Sequence, residues 1–68
     1  MKRFDSLREA DRYIDQHGLE AEVINTALGT NISPEDAKTL WWHFLPEDKC
    51  KQLVDEWQDA MNRKERSA

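Results

Sequence analysis

Apolar residues recur at helical spacing in four segments, and each segment is bounded by a start or stop signal. The sharpest pattern lies over 46–64. Cys50, Leu53, Val54, Trp57, Ala60 and Met61 follow one another at steps of three, one, three, three and one, which places them on one face of a helix. Just ahead, Ala37, Leu40, Trp41 and Phe44 stand at i, i+3, i+4 and i+7. That spacing predicts a helix over 34–44 with all four residues turned to a core.

Both helices open on the same tripeptide, Pro34-Glu35-Asp36 and Pro46-Glu47-Asp48. Proline suits the first helical position, where its missing N–H costs nothing, and the acids offset the positive end of the helix dipole. Ser33 is an N-cap for the first of them. Pro46 cannot continue the preceding helix and disfavours helical geometry at Leu45, so the chain should bend there and restart. The copies are 12 residues apart, shorter than a solenoid repeat, so they are two helix starts made alike.

The first half of the chain reads the same way. Ser6 and Glu9 form a capping box for a helix over 6–17, with Leu7, Ala10 and Ile14 on one face and Tyr13 beside them. Phe4, just ahead of the cap, should pack back onto the first turns. Gly18 and Gly29 stand where left-handed terminators belong. Between them, Leu19, Ala21, Val23, Ile24, Ala27 and Leu28 cover more than half the wheel, which predicts a helix over 19–28 packed on several sides. Leu19, Ala21 and Val23 also alternate as in a strand. The pattern nevertheless continues through Ala27 and Leu28, and no strand partner is visible. The expected fold is all-α: one domain of four short helices at about 6–17, 19–28, 34–44 and 46–64, with a fraying tail over 65–68.

Size limits what such a fold can do. A chain of 68 residues buries a small core, with a stability margin of roughly 3–5 kcal/mol, and the lone Cys50 rules out an intramolecular disulfide. Three tryptophans supply much of the available apolar area. A single cysteine and a charged start without an apolar run point to a reducing, cytoplasmic setting, and no stretch has the apolar length to span a bilayer.

Charge is uneven. Residues 1–18 are neutral, 19–61 carry a net −6, and 62–68 carry a net +2. An acidic middle disfavours contact with phosphate backbones, which needs clustered Lys and Arg. A helix-turn-helix built from the second and third helices would start its recognition helix on Glu35 and Asp36, with Lys38 as its only cation. DNA binding is therefore a subordinate reading. Helix capping accounts for Glu35, Asp36, Glu47 and Asp48. An acidic face over Asp48, Asp55, Glu56 and Asp59 supports a different alternative, an inhibitor that imitates nucleic acid in a nuclease, restriction or CRISPR-type complex. Lys49, Lys51 and Arg63 interrupt that face.

No glycine-rich phosphate loop, nucleophile elbow or recognised metal spacing is present, so no catalytic residue, metal or cofactor is expected. His17, in a last turn, complements the helix dipole. Cys50 belongs to the apolar stripe, although its place near a helix start favours a lowered thiol pKa. The leading functional clue is Trp42. Consecutive helical residues point about 100° apart, so with Trp41 facing the core, Trp42 must face elsewhere. Lys38 and Leu45 are its neighbours on the helix surface. The sequence therefore predicts a binding module or regulator, not an enzyme. It would engage a protein partner, a second copy included, through Trp42, Leu45 and Lys38.

Overall fold

A computed structural model describes residues 3–67. The helices are α1 (Leu7–His17), α2 (Glu20–Leu28), α3 (Pro34–Thr39) and α4 (Glu47–Ser67), with a π-helical turn, Leu40–Phe44, running on from α3. No strand occurs among the described residues. The all-α reading holds, and so does the division into four helical segments. α2 packs against both α3 and α4, while α1 packs against α4.

The helix ends follow the capping chemistry. The Glu9 backbone N–H donates to Ser6 Oγ at 3.3 Å, and Glu9 Oε2 accepts from the Asp5 backbone N–H at 3.2 Å. The Asp36 N–H donates to Ser33 Oγ at 3.3 Å. Gly18 and Gly29 adopt φ of 61° and 67°, the left-handed geometry that other residues enter only with strain. The turn after α2 is held by Asn25. Its Oδ1 accepts from Thr30 Oγ1 and from the Ile32 N–H, both at 2.8 Å, and its Nδ2 donates to the Ile32 carbonyl at 3.0 Å.

The core gathers Ala10 and Ile14 from α1, Val23 and Ile24 from α2, Ala37 and Trp41 from the third segment, and Cys50, Leu53, Val54 and Trp57 from α4. Gln58 is buried with them. Its Oε1 accepts the Phe4 N–H at 2.9 Å and so fastens the N-terminal segment to α4. Phe4 in turn lies back on α1, its ring centroid 5.4 Å from that of Tyr13.

Three expectations need correction. The segment over 34–44 is not one regular helix. Its last turn is π-helical, and the Leu45 N–H donates to the Leu40 carbonyl at 2.8 Å. That five-residue step widens the turn and carries Phe44 past the core face, leaving it 71% exposed where the i+7 spacing placed it inside. Leu28 is likewise outside, 58% exposed, so α2 is buried mainly along Val23 and Ile24. Finally, α4 ends at Ser67 instead of at about residue 64, and Ala68 lies outside the described residues. The bend before Pro46 is present, with Leu45 extended at φ −77°, ψ 129°.

Candidate functional site

The adjacent indoles Trp41 and Trp42 part ways as the 100° step requires. Trp41 is 2% exposed and Trp42 is 39% exposed. Each is held by a carboxylate from another helix. Trp41 Nε1 donates to Asp11 Oδ1 on α1 at 3.1 Å, and Trp42 Nε1 donates to Glu20 Oε2 on α2 at 2.8 Å. Glu20 is only 3% exposed. The outward indole is thus moored at its polar edge.

Trp42 lines two grooves. One is an open groove of about 710 Å³ between α1 and α3, lined with Asp15, Glu35, Asp36 and Lys38 as well as Trp42. The other is a smaller groove of about 400 Å³, where Trp42 meets Leu45, Leu7 and Trp41. Of the three residues expected at a partner-binding patch, Trp42 therefore shares one groove with Lys38 and the other with Leu45.

The smaller groove ends on polar groups that oppose ionisation. Asp11 is held above the ordinary aspartate range, chiefly because it is partly desolvated; the Trp41 hydrogen bond works the other way, and nearby Glu47 adds to the rise. Cys50 also lines this groove, and burial, then the charges of Asp11 and Glu47, push its thiol up to about 11. The direction is opposite to the lowering expected at a helix start, because burial disfavours the thiolate. The thiol donates weakly to the Trp41 carbonyl at 3.9 Å, so Cys50 behaves as a small core side chain.

The acidic face of α4 is not a free run of carboxylates. Arg3 reaches across from the N-terminal segment to Asp59 at 2.6 Å and to Asp55 at 3.7 Å. Asp48 and Glu56 are exposed. Two of the four acids proposed for a nucleic-acid mimic are thus occupied by an internal cation. No group of three or more His, Cys, Asp or Glu side chains that could hold a metal occurs among the described residues.

Glu20, Asp15 and Phe44 were missed by sequence reasoning. Phe44 needed the π turn, which no apolar spacing reveals. Nothing in the spacing around Glu20 marks it as buried, and its pairing with Trp42 is what the fold adds. Asp15 lies far from Trp42 in sequence and joins the groove through tertiary packing. Searches against family models, curated proteins and solved structures find no match for this chain.

Proposed function

We propose that this chain is a small acidic interaction module, acting in the cytoplasm, that binds a protein partner, a second copy included, through the surface around Trp42. It performs no chemistry of its own. The supporting observation is the mooring of a 39% exposed tryptophan to a buried glutamate. Exposed indoles are costly to hydrate, and a pre-oriented one that lines two grooves is the kind of residue that dominates binding energy. No helix of the described residues is long and apolar enough to cross a membrane.

The nucleic-acid mimic is the weaker reading, because Arg3 neutralises part of the face it needs. The two separate by salt. A decoy that engages many charges loses affinity steeply with ionic strength, whereas a Trp-anchored contact loses little.

The direct test compares wild type with a Glu20→Ala/Trp42→Ala double variant, which removes the indole without stranding a buried carboxylate. Circular dichroism checks the fold, sedimentation velocity reads self-association, and affinity capture from the native host reads partners. The expected result is an intact helical fold with lost self-association or lost partner capture. Equal sedimentation and equal capture would remove Trp42 from the interface.

A further inference from the structure

The larger groove beside Trp42 has a chemistry that narrows the partner. We infer that it receives an arginine side chain from a segment of the partner protein, an inference that rests on Trp42 being the binding anchor. The groove is contributed by α1, α3 and the π turn, and Asp15, Glu35 and Asp36 line it together with Trp42. Against these three carboxylates it sets a single cationic side chain, Lys38. Its formal balance is therefore negative by two, with His43, which also lines it, taken as neutral.

Charge complementarity alone would accept any cation. Trp42 makes the choice narrower. A guanidinium is planar and weakly hydrated. It can stack on an indole while its N–H fork meets a carboxylate edge, and an ammonium can do only part of this. The ring is already fixed by Glu20 at its N–H edge, so it has less freedom to lose when a guanidinium stacks on it. At about 710 Å³ and open to solvent, the groove has room for one long side chain and adjoining backbone, in the range usual for ligand sites. Lys38 is exposed, with a long flexible stem. Its charge opposes that of an incoming cation.

The test is an NMR titration of the ¹⁵N-labelled full chain with a blocked Gly-Arg-Gly peptide. Parallel titrations replace the arginine by citrulline, lysine or glutamate. The expected result is saturable shifts centred on the Trp42 indole N–H and on the amides of Asp15 and Thr39. Citrulline, which keeps the shape without the charge, should bind about tenfold more weakly or worse, and lysine severalfold more weakly. Asp15→Asn, an exposed change on α1, should weaken the arginine peptide, and Lys38→Glu should strengthen it. Equal binding of arginine and citrulline, or shifts indifferent to Asp15→Asn and Lys38→Glu, would overturn the inference. Equal binding of lysine would overturn the choice of arginine. If the peptide fails while the Glu20→Ala/Trp42→Ala variant still loses its partner, this inference falls alone. If that variant loses nothing, the anchor itself falls.

Discussion

The indole N–H of Trp42 donates to the carboxylate of Glu20 across 2.8 Å, from a ring 39% exposed to an acid 3% exposed. The two residues stand 22 apart in sequence and tie the π turn to the first turn of α2. This bond is what keeps an outward tryptophan in one orientation. It also gives the pair a measurable coupling. Trp42→Ala alone leaves Glu20 buried without that donor, and Glu20→Ala alone leaves the indole unmoored. Each single change should destabilise by about 1–2 kcal/mol, and the double variant should cost less than their sum. Urea unfolding of the four proteins in the cycle gives the number. Strict additivity would mean that the contact contributes nothing.

Trp57 makes the opposite case. It is 1% exposed, in the middle of α4, and its indole N–H has no hydrogen-bond partner among the described residues. Its contribution is packing. Trp57→Ala should cost about 3–5 kcal/mol, comparable to the whole margin of a domain this small, and leave the chain largely unfolded. Trp57→Phe retains most of the ring and removes an unpaired polar group, so it should be far milder. Thermal melts by circular dichroism distinguish them; similar loss from both would contradict the milder outcome expected for phenylalanine.

Cys50 offers a pH readout. Its thiol is pushed up to about 11 by burial and by the charges of Asp11 and Glu47. In the folded chain the proton is held more tightly than in the unfolded one. The resulting stability is complete below the unfolded thiol's pKa and is lost as pH rises toward about 11. The stability difference between wild type and Cys50→Ala should therefore shrink across that alkaline window and stay flat near neutrality. At pH 8 the native thiol should react with iodoacetamide only as fast as the chain opens, so that stabilising conditions slow labelling. Labelling at the rate of a free thiol would show that Cys50 is not enclosed.

Much of this fold was legible in advance, because its boundaries are local chemistry. Ser6, Ser33, Gly18, Gly29 and the two Pro-Glu-Asp starts each act within a turn of themselves, and the helices begin and end where they direct. The opposed fates of Trp41 and Trp42 also follow from local geometry. What escaped reading depends on partners remote in sequence. Nothing near Glu20 announces that it will be buried under an indole. Nothing near Gln58 or Arg3 announces that they fasten the N-terminal segment to α4. Phe44 escaped for another reason. A regular helix places it with Ala37 and Trp41, and one widened turn before Pro46 moves it to the surface. The site was legible as one residue, Trp42, with its neighbours Leu45 and Lys38. Its acidic groove was not, because Asp15 comes from another helix.

Hydroxyl-radical footprinting of the three tryptophans, read by mass spectrometry with and without the captured partner or at self-associating concentration, tests the central claim most directly. In the free chain Trp42 should be oxidised, while Trp41 and Trp57, 2% and 1% exposed, should be spared. On binding, the oxidation of Trp42 should fall severalfold, with the other two unchanged. Oxidation of Trp42 that is the same free and bound would contradict its role as the anchor.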